Sequence, residues 1–292
     1  MHPLEFVAVG FAPGIFWLWM IVRANTHRPD PAPLVIRTFL LGVLIALPVV
    51  VVESILRGAN AGEITAEMPL GEAAFLAFVV AGLVEEFGKF LVVRLSLYDS
   101  PYFDEPLRGL IYASAVALGF ASLENVSYMV SHGPWVIGPR ALFSTLGHVF
   151  FSALWGYGLG ADRRARLAGG PSRGYAFLGV TGAILAHGAF DVLLFIGEGA
   201  LALLTLLVFS AVAVGLLVHA GRRSIHRGRT AASFTSCPRC TATNLPDKRF
   251  CNACGGPLAP DLARNCGGCQ VPLSGRPAYC AACGVRVAVD AA

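Results

Sequence analysis

The sequence predicts an all-α polytopic membrane domain of about seven transmembrane helices followed by two small cytoplasmic zinc ribbons. Three observations carry that expectation. Of 292 residues, 55% are hydrophobic and only 14% charged, against roughly 25% charged in soluble domains. Apolar runs near 20 residues, the length that crosses a bilayer, recur up to about residue 220. All eight cysteines lie C-terminal of Ser236. These patterns divide the chain into a membrane domain at 1–220, a basic juxtamembrane linker at 221–236 and the ribbons at 237–284. The formal net charge of +4 is modest and does not by itself suggest nucleic acid.

The runs follow in order. The first covers about 4–22 and lacks a basic n-region or a small-residue cleavage site, so it reads as a span rather than a removable signal. The second covers 34–56, the third 72–95, the fourth 110–130 and the fifth 141–160. The sixth, at 175–196, is separated from the seventh, at 200–220, only by a "GEG" turn. Arginines bound the first loop (Arg23, Arg28, Arg37), fill the loop after the fifth run (Arg163, Arg164, Arg166, Arg173) and follow the seventh (Arg222, Arg223, Arg227, Arg229). With seven spans these all fall on one side. Basic loops stay cytoplasmic, so the N-terminus is expected outside the cell membrane and the C-terminus in the cytoplasm. The linker arginines read as a topology signal, with anionic headgroups as a second reading.

The tail reads CPRC, CNACG, CGGC and CAACG, and ten residues separate the pairs within each half. Four thiolates at this spacing close a tetrahedral site around zinc. Two structural ions are expected, one held by Cys237, Cys240, Cys251 and Cys254 and the other by Cys266, Cys269, Cys280 and Cys283. Glycine after Cys254 and Cys283 allows the tight turn that aims backbone amides at sulfur. A disulfide framework is the competing reading, and a reducing cytoplasm argues against it. So short a tail buries little core, so the metal supplies most of its folding energy. The tail lacks a dense basic and aromatic surface, which points to docking of a cytoplasmic protein partner rather than to nucleic acid.

The membrane domain carries ionisable groups where each is costly, about 2.5–3.5 kcal/mol at a helix centre. Glu85, Glu86 and Lys89 lie in "GLVEEFGKF" of the third span. Lys89 is one of only two lysines, the other being Lys248. Its i+4 spacing from Glu85 suits one carboxylate and leaves the other unrelieved. In the fourth span Phe120, Glu124 and Tyr128 share a face, with Asn125 beside it. The fifth carries His148 with Ser152 and Gly156 on one stripe, and the sixth places His187 and Asp191 at i,i+4. Singly, each has a structural explanation, such as an interfacial histidine or an ion-paired helix contact. Seven ionisable groups on four consecutive spans are expected instead to converge on an interior cavity, because polar groups are poorly tolerated against lipid.

Such a cavity could hydrolyse an amide. A buried carboxylate can take a proton from water and return it to a leaving group, while imidazoles and an Asn amide steady an oxyanion. No serine lies in a nucleophile-elbow context, and paired aspartates on two spans are absent. Glu, His and Asp also suit a metal, although H-E-x-x-H is missing. A non-catalytic sensor or scaffold that recruits a cytoplasmic partner through its ribbons is the alternative from another class. A transporter is a third reading, and no inverted repeat supports it.

The ordered set "EEFGK", "FASLENVSY", a histidine-bearing span and "HGAFD" resembles the PrsW family of intramembrane proteases over about residues 70–195. It is more distantly similar to the CAAX-processing superfamily. The resemblance implies a glutamate-dependent membrane protease whose substrate is another membrane protein, such as an anti-sigma factor. By position it implies Glu85 and Glu86 as the paired glutamates that activate water. His148, His187 and Asp191 become further catalytic candidates, and Lys89, Glu124, Asn125 and Tyr128 the supporting residues. The distant CAAX-type relatives use E-E-x-x-x-R. Lys89 departs from that, which points away from prenylated substrates. The ribbons lie outside the shared core.

Overall fold

The computed structural model describes residues 2–25, 30–58, 67–230, 235–241, 243–244, 251, 254–256, 258 and 269. Seven long helical segments occupy the places of the seven runs. Helix α1 is Pro3–Ala24, opened by a capping box in which the His2 ring accepts from the backbone and Glu5 reaches back to the cap. Helix α2 is Ala32–Arg57. Helix α3 begins at Leu70–Ala74, widens into a π-helical stretch at Phe75–Leu83 and continues as Val84–Ser96. Helix α4 is Pro106–His132. Helix α5 is Thr145–Leu167, entered through a second π-helical stretch at Arg140–Ser144. Helices α6 and α7 are Tyr175–Phe195 and Gly199–Thr230.

Five of these, α1, α2, α4, α6 and α7, are long and apolar enough to cross a membrane. The π-helical stretch divides α3, and α5 is rich in glycine, aromatic and polar side chains. These two segments, one divided and one more polar, are those that hold Glu85, Glu86, Lys89 and His148. Helix α7 also runs beyond the expected end at 220. The first ten residues of the expected linker continue it through "GRRSIHRGRT". Arginine is a good helix former, and cations suit a helix C-terminus.

Helix α4 is the axis of the bundle, with 94% of its most apolar window buried. Its neighbours approach it at backbone distance through glycine. A Cβ on Gly109 would run into the Gly156 carbonyl of α5, one on Gly119 into Phe39 of α2, and one on Gly14 of α1 into Ser122. Small residues let membrane helices pack this closely, since lipid offers no hydrophobic drive between them. Gly188 of α6 meets the Phe78 ring of the π-helical stretch in the same way. These crossings hold α1, α2 and α5 against α4 and α6 against α3.

The other end of the bundle is tied by polar contacts. Arg108 forms a buried ion pair with Asp30, to which Asn25 Nδ2 also donates at 3.2 Å. Asp162 accepts the backbone N–H groups of Arg173 and Ala176 at 2.9 Å each, which anchors the start of α6. Ser224 Oγ donates to Glu105 Oε1 at 2.7 Å.

The chain separates into two compact units between Ser224 and Ile225. In the second, strands β1 (Thr235–Ser236) and β2 (Thr243–Asn244) pair antiparallel, Thr235 opposite Asn244.

Candidate active site

The widened turn of α3 delivers Glu85 and Glu86 side by side, and the structure separates them. Glu86 is fully buried and both of its oxygens accept hydrogen bonds. Lys89 Nζ donates at 2.6 Å, Ser152 Oγ at 2.9 Å and Trp155 Nε1 at 3.0 Å. Glu85 receives one hydrogen bond, from Lys89 Nζ at 3.2 Å, and borders a cavity of about 1160 Å³. The expectation that Lys89 can relieve only one of the two is corrected. The i+3 and i+4 positions both lie within reach of a four-carbon side chain, and its ammonium bridges the pair. The third donor of the ammonium meets His148 Nδ1 at 3.1 Å, and the charge lies 4.5 Å from the Phe120 ring centroid.

An ammonium only donates, so His148 Nδ1 accepts and its proton sits on Nε2. That N–H meets Glu124 Oε2 at 2.7 Å. Glu124 in turn lies 3.0 Å from Arg140 Nη2. Glu85, His148, Glu124 and Arg140 therefore form one connected series across three helices. His187 stands edge-on to His148, ring centroids 5.3 Å apart, and stacks on Phe151 at 5.0 Å. Its Nε2 is 3.4 Å from Asp191 Oδ2. Its Nδ1 is 3.3 Å from Glu86 Oε1, at an angle that makes an ion contact but no hydrogen bond, and this buried nitrogen is left without one.

Of the nine membrane residues expected at the site, Glu85, Glu124, Tyr128, His148, His187 and Asp191 line the cavity. Glu86 and Lys89 stand directly behind them. Asn125 is the exception. It points away, its amide donating to Thr145 Oγ1 at 3.0 Å and reaching the Gly10 carbonyl at 3.4 Å, while its Oδ1 accepts from Arg140 Nε at 2.9 Å. It fastens α1, α4 and α5 together and is not free to steady an oxyanion. The i,i+1 step from Glu124 turns it about 100° around the helix.

Two cavity residues escaped the sequence reading. Arg140 opens the second π-helical stretch, bonds Asn125, faces Glu124 and stacks on Tyr128 at 3.8 Å. Its signal was that it is the one arginine or lysine between 131 and 140. Glu53 of α2 borders the cavity with Oε1 unpartnered. It sits inside an apolar run, and the rule applied to Glu85 would have found it. The mouth, with Arg57, Ser131, His132 and Gly199, lies at the end of the bundle away from Arg108 and Ser224.

A family profile described as "PrsW family intramembrane metalloprotease" matches residues 30–217. The chain belongs to the PrsW family of intramembrane proteases. It is 34% identical over 192 residues to Protease PrsW of Geobacillus kaustophilus, covering 66% of this chain and 80% of that one. It is 31% identical over 189 residues to Protease PrsW of Bacillus subtilis, covering 64% and 82%. With Protease PrsW of Clostridioides difficile the figures are 33% over 202 residues, 67% and 80%. No solved structure matches. The family description raises a metal. Among the described residues of the membrane domain, donor atoms of Glu85, His148 and His187 lie within 4.8 Å of one another. Two imidazoles and a carboxylate are a catalytic zinc donor set, but Lys89 already holds two of the three.

A double zinc ribbon profile matches residues 237–286. Cys237, Cys240, Cys251 and Cys254 converge, with Sγ separations of 3.7 Å (237 to 254) and 3.6 Å (240 to 251). Zinc–sulfur bonds of about 2.3 Å in a tetrahedron need edges near 3.8 Å, so the quartet fits zinc as a structural ion. Gly255 takes φ 69°, the turn expected after Cys254, and Arg239 N lies 3.4 Å from Cys237 Sγ. Of the second quartet, Cys266, Cys280 and Cys283 fall outside the described residues.

Proposed function

We propose that this chain is an endopeptidase that hydrolyses a peptide bond of a membrane-protein substrate with water activated by Glu85. The observation that carries the reading is the division of labour within the glutamate pair. Glu85 borders the cavity beside His148 and His187, whereas Glu86 is closed off by Lys89, Ser152 and Trp155.

Glu85 takes a proton from water as the oxygen attacks the substrate carbonyl, and passes it to the departing amine nitrogen. His187 Nδ1, buried and without a hydrogen bond, is placed to donate to the oxyanion, with Asp191 holding the far side of the ring. Glu86 and Lys89 position this pair. Glu124 and Arg140 hold His148, and Tyr128 carries Arg140. The arginine pattern supports an N-terminus outside and a C-terminus in the cytoplasm, so the mouth faces outward. The resemblance favours an anti-sigma factor as substrate, and the ribbons suit a cytoplasmic protein partner.

The test compares wild type with Glu85→Gln in the native cell, at matched protein levels, by quantifying new termini across the membrane proteome. A small set of membrane proteins accumulating uncut in the variant is expected. Unchanged processing would overturn the assignment of Glu85.

A further inference from the structure

We propose that the Lys89 ammonium is the resident cation of the membrane site and that this site consequently takes up no divalent metal. The inference deepens the reading above, since it concerns the same residues, but it rests on contacts of its own. Glu85, His148 and His187 are the donor set a metal would use. Lys89 Nζ lies 3.2 Å from Glu85 Oε2 and 3.1 Å from His148 Nδ1, the same donor atoms' neighbourhood, and completes its three hydrogen bonds with Glu86 Oε1 at 2.6 Å.

Three consequences follow from donor counting. His148 has one lone pair in the plane of its neutral ring. That pair faces Lys89, because the other nitrogen carries the proton given to Glu124. Glu86 cannot substitute, its oxygens being engaged by Lys89, Ser152 and Trp155. Asp191 lies against Nε2 of His187, the side of the ring away from Glu86. With Lys89 in place, Glu85 and His187 remain, one short of the three protein ligands that a catalytic zinc site keeps. A dication would also sit beside a fully buried ammonium, where charge repulsion is weakly screened. The family description names a metalloprotease, and in this chain the side-chain arrangement disagrees with it.

The experiment measures zinc and cobalt per full-length chain after saturation and removal of excess metal, alongside the absorption spectrum of the cobalt form. Wild type, Glu85→Gln and His187→Ala are expected to hold the same number of equivalents, all with thiolate character from the tail. One equivalent fewer in both variants would overturn the proposal. Lys89→Met frees His148 and is expected to gain one equivalent with oxygen and nitrogen character, abolished again by adding Glu85→Gln. A folded Lys89→Met that gains none would show that something other than lysine keeps metal out. If that variant does not fold, the comparison of wild type with Glu85→Gln still decides. Metal counts and substrate processing are read separately. Equal counts with unchanged processing in Glu85→Gln defeat the protease assignment alone, and a lost equivalent with impaired processing defeats the lysine assignment alone.

Discussion

Arg108 with Asp30 and Lys89 with Glu85 and Glu86 are both buried charge clusters on the same bundle, at opposite ends of α4. The first sets one carboxylate against one guanidinium among the described residues, both side chains 2% exposed, with Asn25 as a further donor. The second is two carboxylates on one ammonium, and beyond it Glu53, Glu124 and Asp191 face the same cavity with Arg140. A matched pair locks helices. A surplus of carboxylates around water-accessible space leaves groups with capacity for protons and substrate. Burial of charge therefore does not mark the site by itself. Imbalance beside a cavity does.

Substitutions should separate the two ends. Glu85→Gln keeps the size and most packing of the side chain and is expected to lower cleavage by about 10³-fold, with thermal unfolding close to wild type. Assay of a purified substrate together with melting in detergent checks both halves. Arg108→Met should do the reverse. It removes the guanidinium that faces the buried Asp30 and is expected to cost about 3–5 kcal/mol of stability, read as a lowered melting temperature and poor folded yield. Gly188→Leu drives a side chain into the Phe78 ring. It should displace α6 from α3 and reduce cleavage more than stability, and Gly188→Leu with Phe78→Ala should recover part of the activity. Ser152→Ala removes one of three donors to Glu86. An effect of about 1–3 kcal/mol is expected, shared between melting and rate. A zinc chelator should leave this contrast untouched and expose the tail thiols to alkylation, measured by mass shift.

The parts legible in sequence were those fixed by local spacing. The C-x-x-C pairs convert directly into a sulfur quartet, and His187 with Asp191 share a helix face whatever surrounds them. The seven runs located the helices within a few residues, apart from the C-terminal ends of α5 and α7, because length and apolarity are what a bilayer selects. Contacts set by three-dimensional crossing were hidden. Nothing in the order of residues says that Gly109 and Gly156 touch, so the meeting of Glu124 with His148 could be guessed only from inventory. Asn125 looked equivalent to Glu124 and turns out to face α1, because one residue along α4 is a different neighbour. Arg140 stood at a span boundary, where charges are expected and pass unnoticed.

The π-helical stretch at Phe75–Leu83 has one more implication. Its wider turn, about one additional residue per winding, sets the angle at which Glu85 emerges relative to the start of α3. Deleting a single residue there should let the stretch tighten into ordinary helix and swing the carboxylate by about 100°, out of the cavity, with every side chain of the reaction still in the chain. The orientation of the base is thus stored as a tally of residues. A scan that exchanges side chains one by one would pass over it, and a scan of single deletions would find it at once.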